Sequence, residues 1–124
     1  RPERFDVLVS SNLLGDVLSD LGAQVVGGLG LAPSANVHPG QTSLFEPVHG
    51  SAPDIAGQGT ANPLAAILTG ALMAEVLELP VVAANIRQSV QAVLASGEVT
   101  PDLGGALSTR EVGDAICRRL SQLN

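Results

Sequence analysis

The sequence predicts an α/β fold whose sheet is too small to be complete. The predicted order is strand, helix, strand and then three helices, so strands are few. Hydrophobic residues make up 45% of the 124 residues and aromatic residues only 2%, so Leu, Val, Ile and Ala must build the core. The length fits one domain. Because the sheet is incomplete and the chain starts at Arg1 without Met, we expect a piece of a longer protein.

A strand and an amphipathic helix are predicted at the start of the chain. Phe5–Val9 is apolar except for Asp6 and rich in β-forming residues, which is typical of a buried strand. Asn12 is a candidate cap for a helix that begins near Leu13. One face of this helix is apolar, and a group of glycines ends it; the apolar positions are Leu14, Val17, Leu18, Leu21 and Val25.

The middle of the chain predicts a second strand followed by a loop. We expect either irregular structure or a short strand followed by a loop over residues 29–41, and a strand over residues 42–48. Residues 45–63, FEPVHGSAPDIAGQGTANP, then mix polar groups with Gly and Pro. A surface connection has the same composition. A loop of this kind that leads into a helix can also wrap a small anionic ligand.

The second half predicts three helices. Asn62-Pro63 combines a capping side chain with a proline suited to the first helical position, so we expect a buried helix over residues 64–79, closed by Pro80. A further helix over residues 81–95 is stopped by Gly97. The last helix runs to about residue 123 and starts with a capping box, formed by Ser108 and Glu111.

Charge and composition exclude several classes of function. The net charge is −6, and the six basic residues are all Arg without a cluster, which argues against nucleic-acid binding. The longest apolar stretch, residues 64–79, is too short to span a bilayer and contains Glu75 and Glu78. The single cysteine, Cys117, excludes an internal disulfide and favours a reducing, cytoplasmic location. We expect Cys117 to be a small core residue.

Asp16 and Asp20 lie four residues apart on the first predicted helix, which stacks them about 6 Å apart along its axis. Two carboxylates on a solvated face would have this spacing, at a cost of roughly 0.2–0.5 kcal/mol in repulsion. A bound Mg²⁺ or Mn²⁺ would remove the repulsion, because carboxylate oxygens are preferred ligands of both ions. Both interpretations remain open on spacing alone.

The loop string over residues 45–63 closely resembles the cofactor loop of the NAD-dependent β-decarboxylating dehydrogenases, the isopropylmalate/isocitrate dehydrogenase family. The string NLLGDVLSD over residues 12–20 resembles the metal motif of the same family, which implies that Asp16 and Asp20 bind Mg²⁺ or Mn²⁺. The resemblance extends over essentially the whole chain but matches only the C-terminal portion of a family member. It implies hydride transfer from a 2-hydroxy acid to NAD⁺, followed by loss of CO₂ with the metal as Lewis acid.

The resemblance also implies a role for each loop residue. His49, Gly50, Ser51 and Ala52 match positions that line the adenosine and phosphate part of NAD. Small residues allow backbone N–H groups to approach an anion closely. A structural histidine that bonds the turn is the alternative for His49. A conventional Rossmann fingerprint is not supported, because Pro33 stands where the last glycine after Gly28-Leu29-Gly30 belongs.

Four further positions complete the implied cofactor set. Asp54, followed by Ile55, matches the acidic residue that accepts hydrogen bonds from the adenosine ribose, which predicts NAD rather than NADP. Asp54 could equally form the turn after Pro53. Asn62 matches an adenine contact and is also a helix cap. Glu46 matches a position near the nicotinamide end.

The resemblance implies a division of the chain and an incomplete active site. Residues 1–28 match the end of the middle segment, which carries the dimer interface and the metal site, and residues 29–124 match the C-terminal half of the cofactor-binding domain. A homodimer is therefore implied, with a third metal-binding aspartate from another segment. The family transfers protons with a Lys and a Tyr, and this chain contains neither. No catalytic residue is predicted in this segment, and alone it should be inactive.

Two classes of function follow. The first is an enzyme that oxidatively decarboxylates a 3-substituted malate, with 3-isopropylmalate favoured and homoisocitrate, tartrate or isocitrate as alternatives. The second is a non-catalytic truncated paralogue or regulatory module that keeps the fold.

Overall fold

A computed structural model describes residues 1–123, and these residues form four α-helices and one two-stranded sheet. In chain order the elements are α1 Asn12–Val25, β1 Pro33–Asn36, β2 Leu44–Pro47, α2 Leu64–Val76, α3 Pro80–Ser96 and α4 Thr109–Leu120. Short 3₁₀ turns lie at Pro2–Arg4, Leu29–Leu31, Pro53–Ile55 and Pro101–Leu103. Helix α3 packs against both α2 and α4, and α2 also covers the sheet. None of the helices within residues 1–123 is long and apolar enough to cross a lipid bilayer.

The core lies between α2, α3 and α4. It is aliphatic, as the composition predicts, and consists of Leu64, Val90, Val93, Val99, Val112, Ala115 and Ile116. Leu64, at the start of α2, is fully buried, as are Val93 and Val112. Burial of such side chains stabilises a fold by roughly 1.5–3 kcal/mol each. The start of α2 is therefore anchored in the best-packed part of the chain.

The sheet is an antiparallel hairpin of β1 and β2. Pro33 pairs with Pro47 and Asn36 with Leu44. Residues 29–41 contain a short strand, which was one of the two alternatives for that segment, and the predicted strand within residues 42–48 is confirmed. Because α2 covers the hairpin and β2 leads into the loop over residues 48–63, the sheet fixes where that loop begins.

The predicted strand at Phe5–Val9 is wrong. Residues 5–11 lie in no strand or helix, and Val7 and Val9 are 80% and 93% exposed. A strand requires a neighbour for its backbone N–H and C=O groups. Within residues 1–123 nothing pairs with this segment, so its β-forming composition is not realised as a strand.

Helix α1 begins one residue earlier than predicted. Ser11 occupies the N-cap position, without a side-chain cap, and Asn12 is already helical. The predicted apolar face is exposed, and Ala23 is the only buried residue of the helix. Helix α1 packs against the turn at Leu29–Leu31 and projects from the other helices.

The boundary between α2 and α3 also differs from the prediction. Helix α2 ends at Val76, and Pro80 starts α3 instead of closing α2. Glu78 adopts a left-handed conformation with φ of 58°, and the N–H of Leu79 donates to the carbonyl of Ala74 at 2.8 Å. This geometry is a helix C-cap that usually requires Gly. The last part of the predicted apolar helix is consequently exposed: Leu77 is 59% and Leu79 49% accessible.

Helix α4 confirms the predicted capping box. The N–H of Glu111 donates to the Ser108 hydroxyl, and the N–H of Ser108 donates to the Glu111 carboxylate at 2.8 Å. The Ser108 hydroxyl also donates to the Glu111 carboxylate at 2.7 Å, and the hydrogen bonds from the Ser108 N–H and hydroxyl lower the pKa of Glu111. The expectation that Cys117 is a core residue is wrong, since Cys117 is exposed. It follows the buried Ile116 and points about 100° away around the helix.

An ion-pair cluster joins the end of α3 to α4. The Glu98 carboxylate accepts from Arg119 at 2.7 Å and lies 3.5 Å from Arg118. Hydrogen bonding to Arg119 and then to Ser96 lowers the pKa of Glu98. This cluster secures the segment that leads from α3 to the turn at Pro101–Leu103.

Candidate cofactor site

The loop between β2 and α2 borders a cavity of about 420 Å³, which we call the loop cavity. Its walls come from three separate parts of the chain: the turn after α1, the loop itself and the turn before α4. Six of the eight predicted cofactor residues line it, namely His49, Gly50, Ser51, Ala52, Ile55 and Asn62, together with Leu29, Gly30, Thr60, Ala61 and Asp102. A larger groove of about 680 Å³ lies between the hairpin turn and the end of α2 and contains none of the predicted residues.

His49 is half-buried at the start of the loop, where its Nδ1 lies 2.9 Å from the carbonyl oxygen of Gly50. A carbonyl oxygen only accepts hydrogen bonds, so Nδ1 carries the proton in this contact. In the neutral ring Nε2 is then an acceptor. His49 therefore bonds its own turn, as the structural alternative expected, and still borders the cavity.

Ala52 shapes the centre of the loop. It is not Gly, yet it adopts a left-handed conformation with φ of 45° and ψ of 62°, directly before Pro53. Such a conformation costs a non-Gly residue about 1–2 kcal/mol. The carbonyl of Ala52 accepts from the N–H of Ile55 at 3.1 Å, which closes the following turn. Non-glycine residues in this region cluster at ligand-binding sites.

Asn62 ends the loop and caps α2. Its Oδ1 accepts from the N–H of Leu64 at 2.9 Å, which confirms the predicted capping side chain. Helix α2 begins at Leu64, as predicted, but Pro63 occupies the N-cap position instead of the first helical position. The other side of the Asn62 amide, Nδ2, donates to Asp102 at 3.0 Å. The two bonds together fix which atom of the amide is nitrogen.

Asp102 lines the loop cavity but was not identified from the sequence. It lies 40 residues from Asn62, in the segment PDLGG over residues 101–105. A single aspartate in a Pro- and Gly-rich turn carries no local signal of a contact so far along the chain. Gly30 approaches this pair closely: a Cβ there would lie 2.9 Å from Nδ2 of Asn62 and 3.1 Å from Oδ2 of Asp102.

Asp54 and Glu46 lie outside the residues that line the loop cavity. Asp54 is exposed in the turn at Pro53–Ile55, and its backbone carbonyl accepts from Gln58 at 2.8 Å. Glu46 is exposed on β2, opposite Ser34. Ile55, beside Asp54, borders both the loop cavity and a neighbouring depression of about 380 Å³ that Thr109 also lines.

Asp16 and Asp20 lie one turn apart on α1 and are exposed, and the backbone carbonyl of Asp16 accepts from the Ser19 hydroxyl at 2.9 Å. Neither lines the loop cavity. Within residues 1–123 no group of three or more His, Cys, Asp or Glu side chains is placed to hold a metal ion. Two carboxylates do not complete the six-coordinate shell of Mg²⁺, so these residues alone do not form a metal site.

The loop cavity combines apolar walls with hydrogen-bonding groups. Apolar walls from Leu29, Ile55 and Ala61 flank hydrogen-bonding groups from His49 and Asn62, an arrangement typical of sites for small organic ligands. Its volume lies within the usual range of such sites, about 300–1,000 Å³. Gly50 to Ala52 bring small side chains and accessible backbone to one edge, as phosphate binding requires.

Comparison with known proteins gives a consistent result. Residues 1–116 match the family model described as isocitrate/isopropylmalate dehydrogenase. The isocitrate/homoisocitrate dehydrogenase of Thermus thermophilus is 55% identical over 99% of this chain and 36% of its own length. A probable tartrate dehydrogenase/decarboxylase of Bacillus subtilis is 50% identical over 99% of this chain and 35% of its own. The crystal structure of isocitrate dehydrogenase from Methylococcus capsulatus superposes with a TM-score of 0.89 at 49% identity, covering 97% of this chain and 36% of that one.

These matches bear on fold and on length. The high structural similarity confirms the predicted fold, of which the helices and hairpin described above are one part. The chain spans about a third of the length of the curated relatives that it matches. The names of the relatives include several substrates, so the comparison supports decarboxylating dehydrogenases as a group and does not select one acid.

Proposed function

Because the chain belongs to the isocitrate/isopropylmalate dehydrogenase family, we propose that it is the C-terminal, cofactor-binding part of an NAD-dependent dehydrogenase that oxidatively decarboxylates a 3-substituted malate. The observation that carries this proposal is the loop cavity, where His49, the Gly50–Ala52 backbone and Asn62 border one space. Bound NAD⁺ would supply the hydride acceptor. The residues of this chain bind and orient it.

Each residue has a proposed contact. The backbone of Gly50, Ser51 and Ala52 approaches the phosphates, and His49 and Asn62 contact the adenosine. Asp54 accepts from the ribose hydroxyls at the cavity rim, and its negative charge would repel the additional 2′-phosphate of NADP. Glu46 lies on the strand that leads into the loop and is proposed near the nicotinamide end.

The metal site is proposed to form only in the complete protein. Asp16 and Asp20 are exposed on a helix that projects from the rest of the chain, so their carboxylates are accessible to residues of another segment or subunit. They supply two oxygen-donor groups for Mg²⁺ or Mn²⁺, and the other ligands lie outside this chain. We propose a homodimer, with residues 1–28 at its interface and residues 29–124 in the cofactor domain.

The proposed substrate is 3-isopropylmalate, with homoisocitrate, tartrate and isocitrate as alternatives. The test is a spectrophotometric assay of NADH formation by the complete protein, with each acid, NAD⁺ and Mn²⁺. We expect turnover with one of the four acids and none without Mn²⁺. Failure of all four to reduce NAD⁺ would reject the enzymatic proposal and favour a non-catalytic module, which the lack of Lys and Tyr in this chain would permit.

A further inference from the structure

Thr100 is a buried polar residue next to the loop cavity. Its exposed fraction is 0%, and its hydroxyl donates to Oδ1 of Asp102 at 2.5 Å. Its backbone carbonyl accepts from the N–H groups of Leu103 and Gly105, both at 3.1 Å. A buried hydroxyl needs a hydrogen-bond partner, and here the partner is a carboxylate that lines the cavity.

The Asp102 carboxylate is held from both sides. Oδ1 accepts from Thr100, while Oδ2 accepts from Nδ2 of Asn62 at 3.0 Å. Because each oxygen has a different donor, the plane of the carboxylate is fixed. Asn62 is fixed in turn, since its Oδ1 accepts from the N–H of Leu64, a fully buried residue. The buried core is thus connected to two polar groups in the cavity wall.

We propose that Thr100 is a positioning residue, whose hydroxyl orients the Asp102 carboxylate and, through it, the Asn62 amide toward the base of the bound dinucleotide. The proposal rests on the NAD site proposed above. An ionised carboxylate only accepts hydrogen bonds, and the exocyclic amino group of adenine is a donor. Hypoxanthine carries a carbonyl oxygen at that position. When Asp102 and Asn62 are correctly oriented, the site therefore favours adenine over hypoxanthine. When they are misoriented, the preference for adenine is weaker.

The test compares NAD⁺ with nicotinamide hypoxanthine dinucleotide by calorimetric titration of the complete protein. In Thr100→Val we expect NAD⁺ affinity to fall about tenfold, the usual effect of losing one hydrogen bond to a charged group. Affinity for the hypoxanthine analogue falls less, so discrimination between the two decreases. Thr100→Ser keeps the hydroxyl and should retain the wild-type discrimination.

Thr69→Val is the matched control. Thr69 is also buried, at 5% exposure, but its hydroxyl donates to the carbonyl of Ala65 within α2 and does not face the loop cavity. This variant should leave the discrimination unchanged. If Thr100→Val does not fold, Thr100→Cys replaces it, because a thiol has similar size and is a much weaker donor.

The outcomes separate the two proposals. Wild-type protein that binds no NAD⁺ rejects the cofactor site and, with it, the role of Thr100. Wild-type protein that binds NAD⁺, together with a valine or cysteine variant of unchanged discrimination, rejects the role of Thr100 alone. Reduced discrimination in the variant, with serine rescue and an unaffected Thr69→Val, supports it.

Discussion

The hydroxyl group of Thr109 donates a hydrogen bond of 2.5 Å to the carbonyl oxygen of Ala61, although 48 residues separate them in the chain. The backbone N–H of Thr109 also donates to the carbonyl of Gly59 at 2.8 Å. The first residue of α4 is thus hydrogen-bonded to the end of the loop over residues 48–63. Since α4 packs against α3, the loop is fixed to the helical core through both α2 and α4.

Thr109→Val should loosen the loop. The variant loses the hydroxyl bond to Ala61 and keeps the backbone bond to Gly59, so we expect the free energy of unfolding to fall by about 1 kcal/mol. NAD⁺ affinity should fall as well, because the loop loses more entropy when it orders around the ligand. Chemical denaturation and calorimetry measure the two effects. Thr42→Val, at an exposed position before β2, is the control and should change neither quantity.

Cofactor choice should depend on the charge beside the ribose. Asp54→Lys with Ile55→Tyr replaces a repelling carboxylate by a cation that can pair with the 2′-phosphate, so the ratio of kcat/KM for NAD⁺ to that for NADP⁺ should fall at least tenfold. Asp114→Lys changes the charge of an exposed carboxylate on α4 and serves as control. An unchanged ratio in the double variant, or an equal fall in the control, contradicts the assignment of Asp54.

Metal-dependent turnover should require Asp16. Asp16→Asn replaces a charged oxygen ligand with a neutral amide, and we expect Mn²⁺-dependent activity of the complete protein to fall by at least a hundredfold. Asp114→Asn removes an exposed aspartate of α4, outside residues 1–28, and should leave activity intact. Undiminished turnover in Asp16→Asn would remove the basis for the metal role of both α1 aspartates.

Stability should depend on pH through Glu98. Its pKa is lowered below 4.5 in the folded state by Arg119 and Ser96, so the ionised form is favoured by folding. The stabilisation is present above the unfolded pKa near 4.5 and is lost as pH falls through the folded pKa. Glu98→Gln should therefore be less stable than wild type at neutral pH, with a difference that shrinks in acid. A difference that is constant from neutral to acidic pH would contradict this.

Two glycines near and within α4 should respond oppositely to alanine. A Cβ on Gly105 would overlap the carbonyl of Val99, which already accepts from Leu107 at 3.1 Å. Gly105→Ala should cost about 1–3 kcal/mol of stability. Gly113 lies inside α4, and a Cβ there would meet no neighbouring group within 4 Å, so Gly113→Ala should add about 0.5–1 kcal/mol. Denaturant titration measures both, and a stable Gly105→Ala would show that the turn can shift.

Local signals predicted local structure well. The Ser108–Glu111 capping box and the stop at Gly97 appear where the sequence placed them, because each depends on groups within a few residues. The predicted end of α2 was wrong, because a proline is as suitable for starting α3 as for ending α2. Helix α2 ends where Glu78 adopts a left-handed conformation, and no residue type at this position predicts that conformation.

Contacts between distant segments were the part that could not be predicted. Phe5–Val9 has the composition of a strand, but strand formation depends on a partner that residues 1–123 do not provide. The six predicted cofactor residues that line the loop cavity belong to one continuous loop string, so they could be picked out together from the sequence. Asp102 was missed because it meets Asn62 only after α3 has folded back on α2, and Thr100 was missed because its side chain bonds Asp102.

The proposal that the loop cavity binds NAD⁺ is tested most directly by calorimetric titration of the complete protein with NAD⁺, in wild type and in Gly30→Ala. A Cβ at Gly30 would press on Asn62 and Asp102, whereas Gly113→Ala on α4 has open space and serves as control. We expect wild type and the control to bind NAD⁺, and we expect Gly30→Ala to bind it at least tenfold more weakly. Absence of NAD⁺ binding by wild type, or equal affinity in all three proteins, would contradict it.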